Sequence, residues 1–392
     1  MNLGNHWYRD HLQHHPFICF ELPYADASPG LWELLGRCVS LFELIAKAPL
    51  KPALAEQLYR VSLSKYIEGT SAIEGIHHSP EVVERLVRAT EAGPPEYTEA
   101  EIASFVRVVD AIRHNEGAGE SKPVSEAYLG GLNRAALEGA PPQPGLNIGH
   151  LRHHAVTVHG YGPPGPDHLD ALVRDLCLWI NEPHASGLPQ QGLRPLGQCL
   201  FKAISAHLYF EMIHPFGDGN GRVGRLLELD LLVRGGVPLP AALGLTSHYN
   251  EHKTRYFEAI RGAEKSPEGE GFFAFVMFAL EGLYAKSRDM VKRIQQQTLD
   301  ALWKDYVYER TDELKRRAAG RRQQLLALSL DVQPLLNRRI REINPQVAVA
   351  YHEKTDAILI RDLKALQALG LVVRTKEGWK ANKQSMRAFE ID

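Results

Sequence analysis

Cysteine is scarce in this chain, and the patterns that mark secreted or membrane proteins are missing. The 392 residues include four cysteines, Cys19, Cys38, Cys177 and Cys199, with no C-x-x-C spacing among them. So few and so widely separated thiols argue against a disulfide framework and favour buried free thiols in a reducing compartment. The N-terminus has no basic-then-apolar signal pattern, and no apolar run is long enough to span a bilayer. We therefore expect a cytoplasmic protein with no membrane partner.

An excess of charge of one sign is also lacking. The 45 Lys and Arg residues nearly balance the 47 Asp and Glu residues, which gives a formal net charge of −2. A net charge near zero offers no argument that the chain as a whole binds nucleic acid or a membrane surface. The sequence has no internal repeat and no low-complexity tract, and its length predicts two or three domains.

Apolar residues recur at helical spacing over most of the chain, which predicts a mainly α fold. A Pro-Pro loop at 93–99 interrupts the pattern, and residues 138–165 are rich in Gly, Pro and His. Within that second segment, the alternating residues 155–159 are the best strand or hairpin signal. The predicted helices are 31–46, 52–73, 99–114, 125–137, 168–181, 198–212, 223–234, 249–262 and a long helix from 271 that continues past 310.

The C-terminal tail has the pattern of a separate small domain. Apolar periodicity predicts helices over 325–336 and 354–369, the second of them closed by Gly370 as a C-cap. Residues 371–374 and 379–380 then predict a β-hairpin, and helix, helix, hairpin is the order of a winged-helix domain. Such a domain can bind DNA or serve in dimerisation or docking, and the sequence leaves both open. The basic residues arranged for DNA phosphates are Lys354, Arg361, Lys364, Arg374, Lys376 and Lys380.

The stretch richest in chemistry is 214–225, which reads His-Pro-Phe-Gly-Asp-Gly-Asn-Gly-Arg-Val-Gly-Arg. Pro215 disfavours helical geometry at the residue before it, so a helix is expected to end at His214 and to leave the imidazole facing a cleft. With an ordinary histidine pKa of about 6.5, that imidazole is largely neutral near pH 7 and can accept a proton. Leucines follow the stretch and predict a buried helix.

Glycines and a carboxylate make the middle of this stretch suitable for a polyanion. Gly217, Gly219 and Gly221 allow positive φ and leave successive backbone N–H groups accessible as an anion nest. Asp218 is the one carboxylate of the loop, and Mg²⁺ is commonly held by a carboxylate together with substrate phosphates. The amide of Asn220 can donate to a phosphate oxygen. We therefore expect a magnesium site at Asp218 beside a phosphate-binding loop.

Two arginines close the stretch. Arg222 and Arg225 stand three residues apart, on one face of the first turn of the predicted helix. A helix N-terminus carries partial positive charge, so two cations there are unfavourable unless an anion lies beside them. A bound phosphate supplies that anion. The competing interpretation is a glycine-rich turn that caps a helix, with both guanidinium groups in solvent.

The stretch resembles the motif of Fic-domain proteins, H-P-F-x-D-G-N-G-R-x-x-R. At an average usage of roughly 5% per residue type, chance matches at nine positions have a probability on the order of 10⁻¹². Residues 149–152, 156–158 and 161–164 resemble the segment that leads into the target-docking flap of the family, and 245–257 resembles the helix that closes its nucleotide pocket. The matched positions are His214, Pro215, Phe216, Asp218, Gly219, Asn220, Gly221, Arg222 and Arg225.

The resemblance implies a Fic-type helical bundle with a short β-hairpin flap. It also implies a protein adenylyltransferase that moves AMP from ATP to a Ser, Thr or Tyr hydroxyl of a target protein, docked on the flap near 154–160. His214 would be the catalytic base, Asp218 would hold Mg²⁺, and His252, where many members carry Asn, would meet the adenine. Phosphate binding would fall to Gly217, Gly219, Asn220, Gly221, Arg222 and Arg225.

An inhibitory pattern of the family, Ser or Thr, three residues, then Glu-Gly, is matched at 70–75. In relatives that carry it ahead of the catalytic domain, the glutamate pairs with the second motif arginine, and ATP then binds in an unproductive pose. Those partners would be Glu74 and Arg225 here. Residues 64–69 match the same short pattern with Glu68, so the pattern alone is weak. The residues around Glu74 resemble the family more closely, which favours Glu74.

These patterns divide the chain into four predicted parts. They are an N-terminal helical region with the inhibitory helix (1–98), a Fic catalytic domain (99–285), a linking helix (286–320) and a winged-helix-like domain (321–392). Autoinhibited protein adenylylation is the leading interpretation. Removal of AMP, transfer of another nucleotide, and a non-catalytic regulator that binds nucleotide and DNA are the alternatives. A homodimer and a DNA or protein contact of the tail are left open.

Overall fold

The computed structural model describes residues 15, 18–20, 27–88, 99–115, 123–139, 145–158, 160–182, 194–265 and 269–386. These residues are mainly helical, as the apolar periodicity predicted, and the chain divides into two compact units, Met1–Val291 and Lys292–Asp392. No helix within the described ranges is long and apolar enough to cross a membrane. The Pro-Pro loop predicted at 93–99 lies outside the described residues apart from its last position. The finer four-part division stays a prediction.

Proline opens several helices of the first unit, because its fixed φ and missing N–H suit the first helical turn. The helices are α1 (Pro29–Lys47), α2 (Pro52–Ile73), α3 (Pro80–Arg88), α4 (Ala100–Asn115), α5 (Glu126–Ala136), α6 (Pro166–Asn181), α7 (Pro195–Ile213), α8 (Asn220–Arg234), α9 (Leu239–Glu251), α10 (Lys253–Lys265) and the long α11 (Glu270–Thr311), whose residues belong to both units.

Helices α7 and α8 form the centre of the first unit and pack against each other. Both are buried on nearly every face, and Leu208, Phe210, Leu226 and Leu232 have no exposed surface. Helix α2 packs against α9 and also touches α8. This packing brings the C-terminal end of α2 to the first turn of α8, where the two arginines lie.

The flap strand predicted at 155–159 is reduced to one antiparallel bridge between Val158 and Tyr161. Each of these residues donates its N–H to the carbonyl of the other, over 2.8 and 2.9 Å. The next hydrogen-bonded pair of a hairpin would need an N–H at Pro163, and proline has none. The hairpin therefore stops after one pair, a stop that Pro163 in the sequence could have predicted. His159 lies outside the described residues.

The second unit contains α12 (Ala318–Ser329), α13 (Asn337–Ile340), α14 (Pro345–Tyr351), α15 (Asp356–Ala368), β1 (Val372–Thr375) and β2 (Gly378–Ala381), besides the end of α11. The two strands pair antiparallel, and Leu335 adds a bridge to Trp379 of β2. The predicted helix over 354–369 and the hairpin after it are confirmed. Leu326, Leu359, Leu363 and Trp379 are among the buried residues of this unit's core.

The helix predicted over 325–336 is wrong in its bounds. Helix α12 ends at Ser329, and Leu330 already has extended backbone angles. Pro334 cannot donate within a helix and disfavours helical angles at the residue before it, which explains why the apolar periodicity did not continue as helix. Helix α14 was missed, although Asn344 before Pro345 is an N-cap signal: the Asn344 side chain accepts the Val347 N–H at 2.9 Å.

Candidate active site

His214 sits where α7 ends, in an unusual backbone conformation. Its φ of 48° and ψ of 59° are left-handed, a region that residues other than glycine occupy rarely. The carbonyl of His214 accepts a hydrogen bond from Arg152 Nε at 2.8 Å, and its N–H donates to Phe210 at 2.9 Å. The helix therefore stops at the residue before Pro215, as predicted, and the strained turn is fixed from both sides.

The imidazole of His214 is in the form that accepts a proton. Burial lowers its pKa to about 4, although a hydrogen bond to the Glu211 carbonyl acts in the opposite direction and Arg152 lowers the pKa further. Nδ1 lies 3.4 Å from that carbonyl oxygen, a partner that only an N–H can use. Nε2 therefore carries the lone pair at neutral pH. The depressed pKa could not be predicted from the sequence, because it arises from burial.

Asn220 has a different place from the predicted one. Its side chain is 2% exposed, its amide nitrogen donates to the Phe216 carbonyl at 2.8 Å, and its oxygen accepts the Phe216 N–H at 2.9 Å. The side-chain amide thus closes the loop on itself instead of pointing at a phosphate. The groups that remain for an anion are backbone N–H groups of the first turn of α8, which have no acceptor within the helix.

Two residues without a predicted role in the site hold the loop in place. Asn133, 1% exposed, donates to the Asp218 carbonyl at 2.9 Å and accepts the Gly149 N–H at 2.8 Å. Arg152, 4% exposed, donates to the carbonyls of His154 at 2.8 Å and Pro164 at 2.6 Å as well as to His214. A polar residue between the apolar positions of α5 was the available signal for Asn133. The flap segment and the His214 turn are therefore one hydrogen-bonded assembly.

Arg225 is buried and fully engaged. Its side chain is 1% exposed; Nε donates to Thr70 Oγ1 at 2.9 Å, and Nη2 donates to Glu74 Oε1 at 2.6 Å and to the Thr70 carbonyl at 3.2 Å. Burial alone would raise the pKa of Glu74, but the charge and hydrogen bond of Arg225 outweigh burial, and the net shift is downward. Both groups are therefore ionised at neutral pH. The predicted contact between Glu74 and Arg225 is present.

Gly221 makes this contact geometrically possible. A Cβ atom at Gly221 would lie 2.4 Å from Glu74 Oε1 and 3.1 Å from the Arg225 guanidinium. Gly219 adopts a φ of +79°, as the loop prediction required, whereas Gly217 has no positive φ, and a Cβ there would lie 2.9 Å from a terminal methyl group of Leu146. Glu68, the alternative inhibitory glutamate, is half-buried on α2, and burial raises its pKa.

Arg222 also has acidic neighbours. Its Nη1 lies 3.2 Å from Glu101 Oε1, and its Nη2 lies 3.7 Å from Asp218 Oδ1. Glu101 comes from the first turn of α4 and was not among the predicted site residues. The conflict between two arginines and the helix dipole is therefore relieved by Glu74, Glu101 and Asp218 in the protein itself.

Beneath Arg225 lies a buried polar network that the sequence did not reveal. His207 Nδ1 lies 3.0 Å from Glu228 Oε2, and its Nε2 lies 3.1 Å from the Tyr256 hydroxyl. Tyr249 donates to Glu228 at 2.9 Å. Burial raises the pKa of the neighbouring Glu211 to about 7. Charges this deeply buried tie α7, α8, α9 and α10 together and fix the floor under the arginine pair.

His252, the predicted adenine contact, lies between α9 and α10. Its side chain is exposed, and its Nδ1 lies 3.1 Å from the His248 carbonyl. The next residue, Lys253, donates to the Ala72 carbonyl at 2.9 Å. The junction of α9 and α10 therefore contacts the end of α2, two residues before Glu74.

Asp218 suits a metal that takes most of its ligands from phosphates. Its side chain is 36% exposed and Oδ1 accepts the Gly219 N–H at 2.6 Å. Among the residues that the structure describes, no group of three or more His, Cys, Asp or Glu side chains could hold a metal unaided. One carboxylate beside an anion nest is the donor set typical of Mg²⁺ bound together with nucleotide.

In this helical unit, a glycine-rich loop joins a histidine at the end of one helix to two arginines at the start of the next helix. This arrangement defines a Fic-type site. Residues 123–232 match the sequence model of the Fic/DOC family, and this part of the chain is a Fic domain of that family.

Similar proteins agree with this assignment. The chain is 39% identical over 107 residues to the protein adenylyltransferase Fic of Drosophila virilis and, at the same identity and length, to that of Drosophila melanogaster. The match spans 27% of this chain but only 20% and 19% of those proteins. A Fic family protein from Desulfovibrio desulfuricans has a similar structure, with a TM-score of 0.54 at 20% identity over 91% of this chain and 94% of that one. Fic-1 from C. elegans gives 0.51 at 19% identity over 68% and 73%. At these identities the structures show a shared fold.

Proposed function

We propose that this protein is an ATP-dependent protein adenylyltransferase whose activity is restrained by Glu74. The observation that supports the proposal most is the placement of a neutral His214 at one end of the loop and of the arginine pair at the other. The names of the similar Drosophila proteins point to the same reaction. ATP is the proposed substrate, and a hydroxyl-bearing protein is the proposed acceptor.

The proposed reaction needs one proton acceptor and little covalent chemistry. The hydroxyl oxygen of the target attacks the α-phosphorus of ATP, and its proton passes to His214 Nε2. The bond from the α-phosphorus to the oxygen that bridges to the β-phosphate breaks, and pyrophosphate leaves with that electron pair. Positioning and fixed dipoles supply most of the rate in such transfers.

Charge on the phosphates would be met by groups already in place. Backbone N–H groups of the loop, with Gly217, Gly219 and Gly221 giving close approach, would face the phosphate oxygens. Arg222 and Arg225 would pair with the β- and γ-phosphates once their acidic neighbours move away. Asp218 would hold Mg²⁺, which supplies charge neutralisation at the α- and β-phosphates. His252 would meet the adenine.

The target protein would dock on the flap near 154–160. Residues 153–155 and Thr157 are exposed, and Arg152 fastens this segment to the His214 turn through its three hydrogen bonds. A peptide that lies along the flap would therefore be registered against the histidine. A homodimer and a cytoplasmic location stay predictions.

Inhibition would come from the Glu74 contact. While Glu74 holds Arg225, that guanidinium has no free face for a γ-phosphate, so ATP would bind without the geometry needed for transfer. A charge-assisted hydrogen bond of this kind is worth about 1.5–3 kcal/mol.

The proposal is tested with ATP labelled at the α- or the γ-position, with and without Glu74→Gly. Adenylylation predicts α-label on protein, no γ-label, and more α-label in the variant. Loss of α-label from a previously modified target would indicate AMP removal. Protein that binds ATP but takes up neither label would instead favour the non-catalytic regulator. Matched incubations with labelled GTP, CTP and UTP test transfer of another nucleotide.

A second proposed function is DNA binding by the C-terminal unit. Residues 292–392 contain 20 Lys and Arg against 13 Asp and Glu, whereas residues 1–291 contain 25 against 34. Arg361 and Lys364 are exposed on α15, and Arg374 and Lys376 are exposed on the hairpin. The bridge of Leu335 to Trp379 gives the order helix, short strand, three helices, hairpin, which supports a winged-helix arrangement.

This second function is tested with the full chain and a fluorescent DNA duplex of random sequence. Replacing Arg361 and Lys364 by Ala should weaken binding about tenfold at low salt and reduce the salt dependence. A matched control replaces Lys315 and Arg316, which are also exposed in this unit. Equal binding by both double variants, or no binding at all, would contradict the proposal.

A further inference from the structure

Arg222, like Arg225, is paired with an acidic residue, but one that comes from a different helix. The ion pair of Arg222 with Glu101 joins side chains that are 7% and 13% exposed. The Nε atom of Arg222 is buried and has no hydrogen-bond partner among the described residues. A buried donor without an acceptor is unfavourable, so an oxygen ligand at the Nε atom of Arg222 would stabilise this site.

His78 lies on the other side of Glu101, within ion-pair distance but without a hydrogen bond to it in this conformation. Glu101 Oε2 lies 3.3 Å from His78 Nε2, and the histidine side chain is 11% exposed. His78 follows Glu74 by four residues, after a turn at Gly75 with a φ of +83°. Glu74 and His78 therefore leave the same end of α2, and one displacement of that end would move both.

The charges around the loop show that the release of Glu74 alone leaves part of the restraint in place. The cations Arg222 and Arg225 face the carboxylates of Glu74, Glu101 and Asp218. Without Glu74, the two arginines still face the carboxylates of Glu101 and Asp218, which offset part of the positive charge that would attract a triphosphate. Arg222 can turn Nη1 to a phosphate only if Glu101 withdraws.

We propose that Glu101 is a second internal inhibitor, which occupies Arg222 as Glu74 occupies Arg225, and that His78 couples both contacts to the position of the end of α2. The inference rests on the proposed nucleotide binding and deepens its regulation. A nucleotide whose phosphates displace both carboxylates would favour the displaced position of this segment.

The test compares the parent, Glu74→Gly, Glu101→Gln and the double variant. Calorimetry measures the Kd for ATP with magnesium, and α-label uptake is measured in parallel. We expect Glu101→Gln to lower the Kd of the Glu74→Gly protein about fivefold or more, and to change that of the parent much less. The matched control is Glu99→Gln on the Glu74→Gly background, since Glu99 pairs instead with the exposed Arg85.

The outcomes separate this inference from the proposed function. If the Glu74→Gly protein binds ATP and Glu101→Gln leaves the Kd unchanged or raises it, Glu101 merely positions Arg222 and the inference is wrong. If none of the four proteins binds ATP, the proposed function fails and the inference fails with it. Binding by the double variant alone would support both.

His78→Ala tests the coupling. It should lower the Kd of the Glu74→Gly protein for ATP but leave that of the double variant unchanged, because Glu101 is already absent there. An equal effect in both proteins would show that His78 does not act through Glu101.

Discussion

Each compact unit buries a charged side chain among its helices, but the partners of the two charges differ in kind. In the first unit, Arg225 is held by Thr70 and by Glu74, whose side chain is 33% exposed at the end of a helix. In the second unit, Asp362 has no exposed surface and accepts from Arg322 at 2.8 Å, Gln323 at 3.0 Å and Tyr351 at 3.0 Å.

This difference separates a replaceable partner from fixed ones. Three donors inside one small core meet Asp362, so its burial serves the stability of that core. Glu74 meets Arg225 from the end of a helix, where its side chain is 33% exposed, so under the proposed function another anion would take its place. Burial of a charge therefore indicates a switch only where one partner can leave.

The largest expected effect tests whether the first unit contains a reaction centre at all. His214→Ala in the Glu74→Gly background should lower the transfer rate about 10²–10⁴-fold, the usual contribution of a general base. Binding of ATP should persist, because no phosphate contact is removed. The rate is followed by α-label uptake and the binding by calorimetry; a variant that labels its target at the parent rate would contradict the assigned role.

The second-largest effect is expected from removal of Glu74, the replaceable partner of Arg225. Glu74→Gly should raise automodification by an order of magnitude or more, since Arg225 becomes available to the γ-phosphate. The matched control is Glu68→Gly, which removes the glutamate of the other matching pattern on the same helix. Equal α-label uptake by the parent and by Glu74→Gly would show that Glu74 does not restrain the activity.

Removal of Asp362, the acceptor with fixed partners, should instead lower the stability of the second unit. Asp362→Ala leaves the Arg322 guanidinium, 12% exposed, without its carboxylate and should destabilise the second unit by about 3 kcal/mol. Hydrogen exchange of the full chain should accelerate in peptides of α15 and stay unchanged in those of α8. The control Asp356→Ala removes a carboxylate that is 82% exposed. Equal hydrogen-exchange rates in the two variants would show that Asp362 stabilises the second unit no more than an exposed carboxylate does.

The smallest expected effect is that of pH on the transfer rate. A folded-state pKa of about 4 keeps His214 neutral and active until the pH falls towards that value. An ordinary histidine would be about one-tenth neutral at pH 5.5. Transfer by Glu74→Gly, at saturating ATP and magnesium, should therefore change less than about twofold between pH 7.5 and 5.5. A tenfold fall centred near pH 6.5 would show that His214 keeps its ordinary pKa.

The sequence was most informative where local rules decide the structure. Pro215 predicted the end of α7, and the proline and apolar pattern of 52–73 predicted α2 to the residue. Pro334 and Pro163 carried the same kind of signal, and both were overlooked: α12 ends early, and the flap closes with one bridge.

Long-range partners could not be predicted in this way. The contacts of Asn133 with Asp218 and of Arg152 with His214 join residues that are 85 and 62 positions apart. Glu101 reaches Arg222 across 121 positions. Such pairs depend on how helices pack, and apolar periodicity records only which face is buried. The contacts of the Asn220 side chain with Phe216 could not be predicted for a related reason: its donors are visible in the sequence, but its orientation is not.

The space over Gly221 has a further consequence. Glu74 uses it in this conformation, and the proposed nucleotide would need backbone access at the same point. Any larger residue would disturb the resting form and the loaded form together. Under the proposed inhibition, substitutions at Glu74, Glu101 or His78 would change its strength, whereas a substitution at Gly221 would disturb both the Glu74 contact and the approach of the nucleotide.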